Sequence, residues 1–225
     1  MMDWLVYVVG YPGSGKTTAV RGALHEVNGE KPIRVERKPF AHTIYPSGLV
    51  ELGCEKDIYG GTDALPLNVQ PKVVKWMKDV DIPVIVAEGD RLANRKFFNE
   101  ACGYNETFPD ELQCDDRYLC FVHIKCPELT ARKRAWERGS RFNESWLKGR
   151  ISKVDSLVRA ASKPYIYHHE GMYNTPSFKD WKTPVDLTMN VFSTMDGEFH
   201  EIDGTQPPDD IALELRTIIG GLNDG

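Results

Sequence analysis

The sequence predicts a three-layer α/β sandwich with a mostly parallel sheet, and three observations predict it. The runs Trp4–Val9, PVIVA (83–87) and YLCFVHIK (118–125) are continuously apolar or nearly so, as strands buried on both faces are. Helix-length segments separate them, and strands alternating with helices make crossovers between parallel neighbours. Directly after the first run, Gly10-Tyr11-Pro12-Gly13-Ser14-Gly15-Lys16-Thr17 satisfies G-x-x-x-x-G-K-[ST] at every fixed position. That motif is a phosphate cradle when it joins a strand to a helix.

Taken in order, Trp4–Val9 is the first strand, and the helix after the cradle is expected over 17–27, where Asn28-Gly29 closes it. A short second strand covers 33–37. The segment 39–68 carries Pro46, Gly48, Gly53, Gly60, Gly61 and Pro66. It is too irregular for long elements and too long for a connector, so it is read as a functional insertion on the acceptor side. A helix follows over 69–80, with Pro71 tolerated in its first turn. The 83–87 strand ends directly in Glu88-Gly89-Asp90-Arg91. Next come a helix over 93–101, a loop over 103–116 and the 118–125 strand. Pro127 opens a charged helix that Gly139 ends, and another runs over 143–161. The aromatic stretch 162–182 receives no element. Residues 185–192 read as the last strand, with a hairpin across Asp196-Gly197 as an option, and 209–219 as a terminal helix.

At 225 residues without a shift in composition, the chain is expected to form one domain over 1–225. Its 41% hydrophobic and 27% charged residues exclude global disorder. No apolar stretch approaches the roughly 18 to 20 residues that a bilayer crossing needs, so no membrane partner is expected. Met1-Met2-Asp3 lacks the basic start of a secretory signal, and a cytoplasmic location is expected. The five cysteines, Cys54, Cys102, Cys114, Cys120 and Cys126, have no C-x-x-C spacing, which predicts reduced thiols, with Cys120 and Cys126 as small buried hydrophobes.

The glycines at 10, 13 and 15, with Pro12 and Ser14, let successive N–H groups face phosphate oxygens, and the helix start adds its positive dipole end. Lys16 is expected to reach the β/γ-phosphates of ATP and Thr17 to ligate Mg²⁺, with Thr18 completing the cradle. Glu88 and Asp90, two residues apart, share a side if the chain stays extended. One would then act as base while the other orients Mg²⁺, and Asp90 is the metal ligand expected beside Thr17. The plainer alternative for Asp90 is a helix cap. Arg91 either contacts the acceptor or a phosphate, or forms an ordinary ion pair. Thr62 and Asp63, in Gly60-Gly61-Thr62-Asp63, either hydrogen-bond the acceptor or cap a short helix.

Residues 130–153 carry a net +6, leaving −11 on the rest of a chain whose total is −5. Arg132, Arg134, Arg138 and Arg141 cluster around Gly139-Ser140, where a mobile lid could bring guanidinium groups over ATP. Arg134 and Arg138 are i,i+4 on one helix face, and Arg138 is the lid residue expected in catalysis. The alternative is a solvated basic face. In 142–150, Trp146 and Lys148 suit base stacking and phosphate contact, whereas Trp146-Leu147 also reads as a buried stripe. His168-His169-Glu170 has no supporting cluster and is not read as a metal site. Trp4, Trp76, Trp136 and Trp181 are expected to pack.

The cradle alone does not separate a kinase from a GTPase or a motor ATPase. A strand followed by Cys126-Pro127-Glu128, then spaced arginines ending in Arg138-Gly139, resembles the thymidylate-kinase-like P-loop kinases. Glu88-Gly89-Asp90-Arg91 resembles their acidic-plus-arginine acceptor motif. The resemblance covers about 5–141 and implies a five-stranded parallel sheet with a helical lid over 132–150. The insertion at 48–66 and the continuation 144–153 depart from a housekeeping thymidylate kinase. GTDALPLNVQPK, AEGDRLANRKFF and ESWLKGR resemble instead a group of phage-associated P-loop kinases, some assigned to the hydroxymethyl group of 5-hydroxymethyluracil in phage DNA. This implies ATP- and Mg²⁺-dependent transfer to a hydroxyl of a nucleoside, nucleotide or modified base, in the host cytoplasm where the protein is phage-encoded. A DNA acceptor would use the basic segment 132–153. A deoxynucleoside monophosphate acceptor, or an NTPase or switch without an acceptor, is the alternative, and the charge pattern does not decide between them. The sequence does not set the oligomeric state.

Overall fold

The computed structural model describes residues 2–24, 31–53, 60–103, 117–140, 143–162 and 197–223. In chain order they form β1 (Trp4–Val9), α1 (Lys16–Leu24), β2 (Ile33–Val35), β3 (His42–Ile44), β4 (Val50–Leu52), a 3-10 turn (Gly61–Ala64), α2 (Gln70–Asp79), β5 (Val84–Glu88), α3 (Arg95–Ala101), β6 (Tyr118–Lys125), α4 (Glu128–Glu137), α5 (Glu144–Ala161), β7 (Glu198–Asp203) and α6 (Pro208–Asn223).

Every residue of β1 is buried, because the strand lies inside the sheet with a layer on each face. The strand order is β2-β3-β4-β5-β1-β6-β7. The five strands β4, β5, β1, β6 and β7 are mutually parallel, and β2 and β3 extend the sheet antiparallel beyond β4. Val8 lies opposite both Glu88 and Val122. The chain therefore leaves β1 and β5 at the same carboxyl edge, where ligands of such sheets gather. Val6, Val8 and Val86 pack with Val20 of α1 and Leu215 of α6 on one face. Leu5, Tyr7 and Ile85 pack with Val73, Phe97, Phe98 and Leu157 on the other. Phe97 and Phe98 are fully buried, each contributing about 2 to 3 kcal/mol of apolar burial.

Local signals account for several boundaries. The Asn94 side chain caps α3 by accepting from the Phe97 N–H, and Asn143 caps α5 by accepting from Ser145 and Trp146. Gly139, at φ +81°, ends α4 as its position predicts.

The differences from the sequence expectation have physical reasons. The sheet has seven strands among the described residues, five of them parallel, rather than five in all. The 39–68 insertion contributes β3 and β4, three residues each, too short to show a period. The strand expected over 185–192 lies outside the described residues. The last described strand is β7, whose sequence EFHEID alternates with charge because it runs along a partly exposed edge. It pairs in parallel with β6. Trp136, expected to pack, is 64% exposed on α4.

Candidate active site

The cradle forms where β1 runs out. A Cβ on Gly13, at φ +91°, would sit 2.1 Å from the Ala131 carbonyl oxygen, so the backbone of α4 lies directly against the loop. Lys16 Nζ donates to the carbonyls of Gly10 at 2.9 Å and Tyr11 at 3.1 Å. Burial pushes the Lys16 pKa down; Glu88 and Asp63 oppose that shift and Arg138 adds to it. Thr17 Oγ1 donates to Glu88 Oε1 at 2.9 Å. Glu88 is only 2% exposed. Its burial raises its pKa, against the pull of Lys16 and the Thr17 hydrogen bond.

These groups fit a nucleoside triphosphate with Mg²⁺. A hydroxyl and a carboxylate in direct contact are the hard oxygen ligands that Mg²⁺ takes at a P-loop. The Ser14 hydroxyl, buried in the loop without a partner among the described residues, is a donor that a phosphate oxygen satisfies.

The turn after β5 is fastened by the 60–63 loop. Asp63 Oδ1 accepts the N–H groups of Asp90 at 2.9 Å and Arg91 at 3.0 Å, and Arg91 Nη2 donates back to the Asp63 carbonyl at 3.3 Å. The Tyr7 hydroxyl donates to the Gly89 carbonyl at 3.0 Å. A Cβ on Gly61, at φ +55°, would lie 2.5 Å from Glu88 Oε1. Thr62 is fully buried, and the Asp63 carboxylate is engaged by the neighbouring backbone. Both therefore hold the strand-end loop in place.

Glu88 and Asp90 do not share a side. Gly89 has φ +108°, which breaks the extended geometry and turns the two carboxylates apart. Glu88 faces Thr17, while Asp90 meets α5. Asp90 contacts Arg150 Nη1, and its Oδ1 lies 3.1 Å from Lys153 Nζ, which also donates to the Asp90 carbonyl at 2.8 Å. Nor is Asp90 the cap of α3, since Asn94 has that place. Farther along α5, Asp155 Oδ1 accepts from the Tyr11 hydroxyl at 2.6 Å. One helix thus spans the cradle and the strand-end loop. Burial, and then Arg150, lower the Lys153 pKa to about 8; Arg91 also lowers it, and Asp63 opposes them.

The lid arginines separate. Arg132 bridges Glu128 and Glu144, at 2.8 Å each, tying α4 to α5. Arg134 Nη1 donates to the Gly204 carbonyl at 2.6 Å, at the loop between β7 and α6. Arg138 caps the end of α4 and is exposed, near enough to Lys16 to perturb it. Arg141 lies outside the described residues, as do His168-His169-Glu170. Trp146 and Leu147 divide the two readings made for them: Leu147 is buried, whereas Trp146 is 43% exposed with the Arg150 guanidinium 5.0 Å from its ring centroid. Lys148 is exposed on the same helix. Sequence reasoning passed over Arg150 and Lys153 as individual site residues, although their i,i+3 spacing on one helix was a usable signal. For Tyr7 and Tyr11 there was none.

Among the described residues, no helix is long and apolar enough to cross a membrane. A family model described as P-loop Nucleotide Kinase3 matches residues 1–172. A search of the curated proteins finds no match. Among solved structures, an unliganded sugar kinase from Janibacter sp. HTCC2649 aligns over 97% of this chain and 95% of its own, with 14% identity and a TM-score of 0.47.

Proposed function

The chain belongs to the P-loop Nucleotide Kinase3 family, and from that premise we propose that it transfers the γ-phosphate of ATP to a hydroxyl of a nucleotide or of a modified base in DNA. The observation that carries this reading is the Thr17–Glu88 hydrogen bond beside Lys16. It joins the cradle to a strand-end carboxylate, the pairing that P-loop enzymes use for Mg²⁺. When bound there, Mg²⁺ supplies charge neutralisation on the transferring phosphate.

In this reading Thr17 and Glu88 would hold the ion, which gives Glu88 the metal role expected of Asp90. Lys16 holds the β/γ-phosphates, and Arg138 approaches from the end of α4. Asp90 is the base. It takes the proton of the acceptor hydroxyl as that oxygen bonds to the γ-phosphorus, and the bond from γ-phosphorus to the bridging oxygen breaks to release ADP. The sequence resemblance supports 5-hydroxymethyluracil in DNA as the acceptor. The single domain over 1–225 and the lid over 132–150 belong to the same proposal.

The test supplies γ-labelled ATP with nucleosides, nucleotides and duplex DNA with or without 5-hydroxymethyluracil. Label on a hydroxyl acceptor, lost in Lys16→Ala, is the expected result. Label on no acceptor, together with full hydrolysis by Lys16→Ala, overturns the reading.

A further inference from the structure

We propose that Arg150 and Lys153 of α5 form a site for a phosphate ester carried by the acceptor, which Asp90 fills until that phosphate displaces it. The inference rests on the kinase reading and deepens it: both acceptors of that reading carry a phosphate ester, and this pair of side chains is assigned to hold it.

Three features lead there. First, the carboxylate assigned as base is held by two cations. It contacts Arg150 Nη1 and lies 3.1 Å from Lys153 Nζ. A carboxylate so matched is a weak proton acceptor, because both neighbours favour its charged form. The arrangement is therefore a resting one, and the base must be released before it can act. Second, the two cations suit phosphate. Arginine offers a planar fork and lysine a point charge, and a phosphate presents more acceptor oxygens than the carboxylate it would replace. Third, little else in this neighbourhood can substitute for Asp90. The Asp63 carboxylate already accepts two backbone N–H groups, and Arg91 and Arg150 both act on Lys153 as like charges. When Asp90 leaves, Arg150, Lys153 and Arg91 stand close together with Asp63 as the remaining countercharge.

Two other cations of the basic segment are committed elsewhere. Arg132 is held by Glu128 and Glu144, and Arg134 by the Gly204 carbonyl. The Asp90 pair is thus where incoming phosphate can exchange for a carboxylate already in place. The exchanged phosphate is not the group transferred. It anchors the acceptor while Asp90, now free, receives the hydroxyl proton. A nucleoside monophosphate and a DNA strand share this chemistry.

The test compares 5-hydroxymethyl-2′-deoxyuridine, its 5′-monophosphate and an oligonucleotide containing it as acceptors. For the wild-type chain, kcat/KM should favour a phosphate-bearing acceptor over the nucleoside on the order of 100-fold, the size expected when a close charge contact is gained. In Arg150→Ala/Lys153→Ala that ratio should collapse to a few-fold, and Lys153→Met should reduce it partially. The better of the two phosphate-bearing acceptors identifies the source of the phosphate. Equal losses on all three acceptors would assign the pair a structural role and overturn the inference. A second readout needs no turnover: Trp146, stacked on Arg150, should change fluorescence saturably with the monophosphate and not with the nucleoside, and the change should vanish in Trp146→Phe. If no acceptor is phosphorylated, the kinase reading fails while a saturable Trp146 signal still upholds the phosphate site. No signal, with a preference that survives the double variant, overturns the site alone.

Discussion

The two halves of this site are held by different kinds of force. The donor half is backbone and buried side chains: a glycine loop pressed against α4, Lys16 bonded to two loop carbonyls, and Thr17 donating to a Glu88 that is 2% exposed. The acceptor half is a set of partly exposed ion pairs between the strand-end loop and α5, with the Asp90 and Lys153 side chains 23% and 31% exposed. Close packing leaves little room for rearrangement, whereas an exposed ion pair exchanges partners at small cost. A site built this way keeps its phosphate donor fixed and lets the acceptor side open.

The largest effects should come from the donor half. Lys16→Ala should lower transfer on the order of 1,000-fold, the loss expected when a preorganised charge on the transferring group is removed. The check is steady-state label transfer with folding monitored by circular dichroism. Glu88→Gln keeps an acceptor for the Thr17 hydroxyl but removes the charge, and should cost roughly 100-fold with a raised Mg²⁺ requirement. Asp90→Asn should cost a similar factor with no change in donor nucleotide affinity. If Asp90→Asn instead transferred at the normal rate while Glu88→Gln did not, the base would belong on the donor side and the division between the halves would fail.

Gly61→Ala probes the seam between them. Its φ of +55° disfavours a Cβ, and that Cβ would lie 2.5 Å from Glu88 Oε1 and 2.6 Å from the Glu88 carbonyl oxygen. A loss of about 2 kcal/mol in unfolding free energy is expected from strain and displacement together. Denaturant unfolding measures it. A neutral result would show that the 60–63 loop rests loosely on β5.

How much of this was legible follows the same division. The cradle, β1, β5 and β6 could be read because their signals are contiguous: a fixed motif and apolar runs buried on both faces. The acceptor half could not, because its partners are far apart in the chain. Asp90 meets residues 60 and 63 positions away, and nothing local in Glu88-Gly89-Asp90 announces that Gly89 turns the carboxylates apart. The short β2 was legible, whereas β3 and β4 escaped because three residues each show no period, and β7 escaped because it runs along an edge, where the hydrophobic period is weak. The cations of 130–153 were visible as charge, yet only the structure separates Arg132 and Arg134, tied within the fold, from the pair on Asp90.

Smaller effects should come from titrating the acceptor half. Lys153 releases its proton near pH 8 rather than at the ordinary 10.5. Between those values the folded chain binds fewer protons than the unfolded one, so this group's contribution to stability rises with pH across that window. Its charge, however, is lost there, and with it part of the grip on Asp90 or on a phosphate. Arg150, Arg91, Asp63 and Asp90 are the charged groups that face it. The wild-type preference for phosphate-bearing acceptors should therefore decline a few-fold from pH 7 to 9, and Lys153→Met should abolish the dependence. A flat wild-type profile would remove Lys153 from acceptor binding.

Tyr11→Phe should give the smallest change and is the sharpest probe of how α5 is tied down. The Tyr11 hydroxyl donates to Asp155 at 2.6 Å on the exposed side of the cradle, and the phenol's pKa is raised to about 12, by burial first and then by the Asp155 hydrogen bond. The hydroxyl thus stays protonated and able to donate at any neutral pH. Removing one such bond at the surface should cost about 0.5 to 1 kcal/mol, or roughly 1 to 4 °C in Tm for a chain of this size. Its kinetic consequence depends on which contact holds the helix. If the ion pairs at Asp90 alone position α5, transfer is unchanged. If the Tyr11 tie also keeps Arg150 and Lys153 over Asp90, its loss frees the base more often, and acceptor-independent ATP hydrolysis should rise a few-fold at constant donor affinity. We expect the rise, because the Tyr11 tie and the Asp90 contacts lie on the same stretch of one rigid helix, and loosening one should increase the motion at the other.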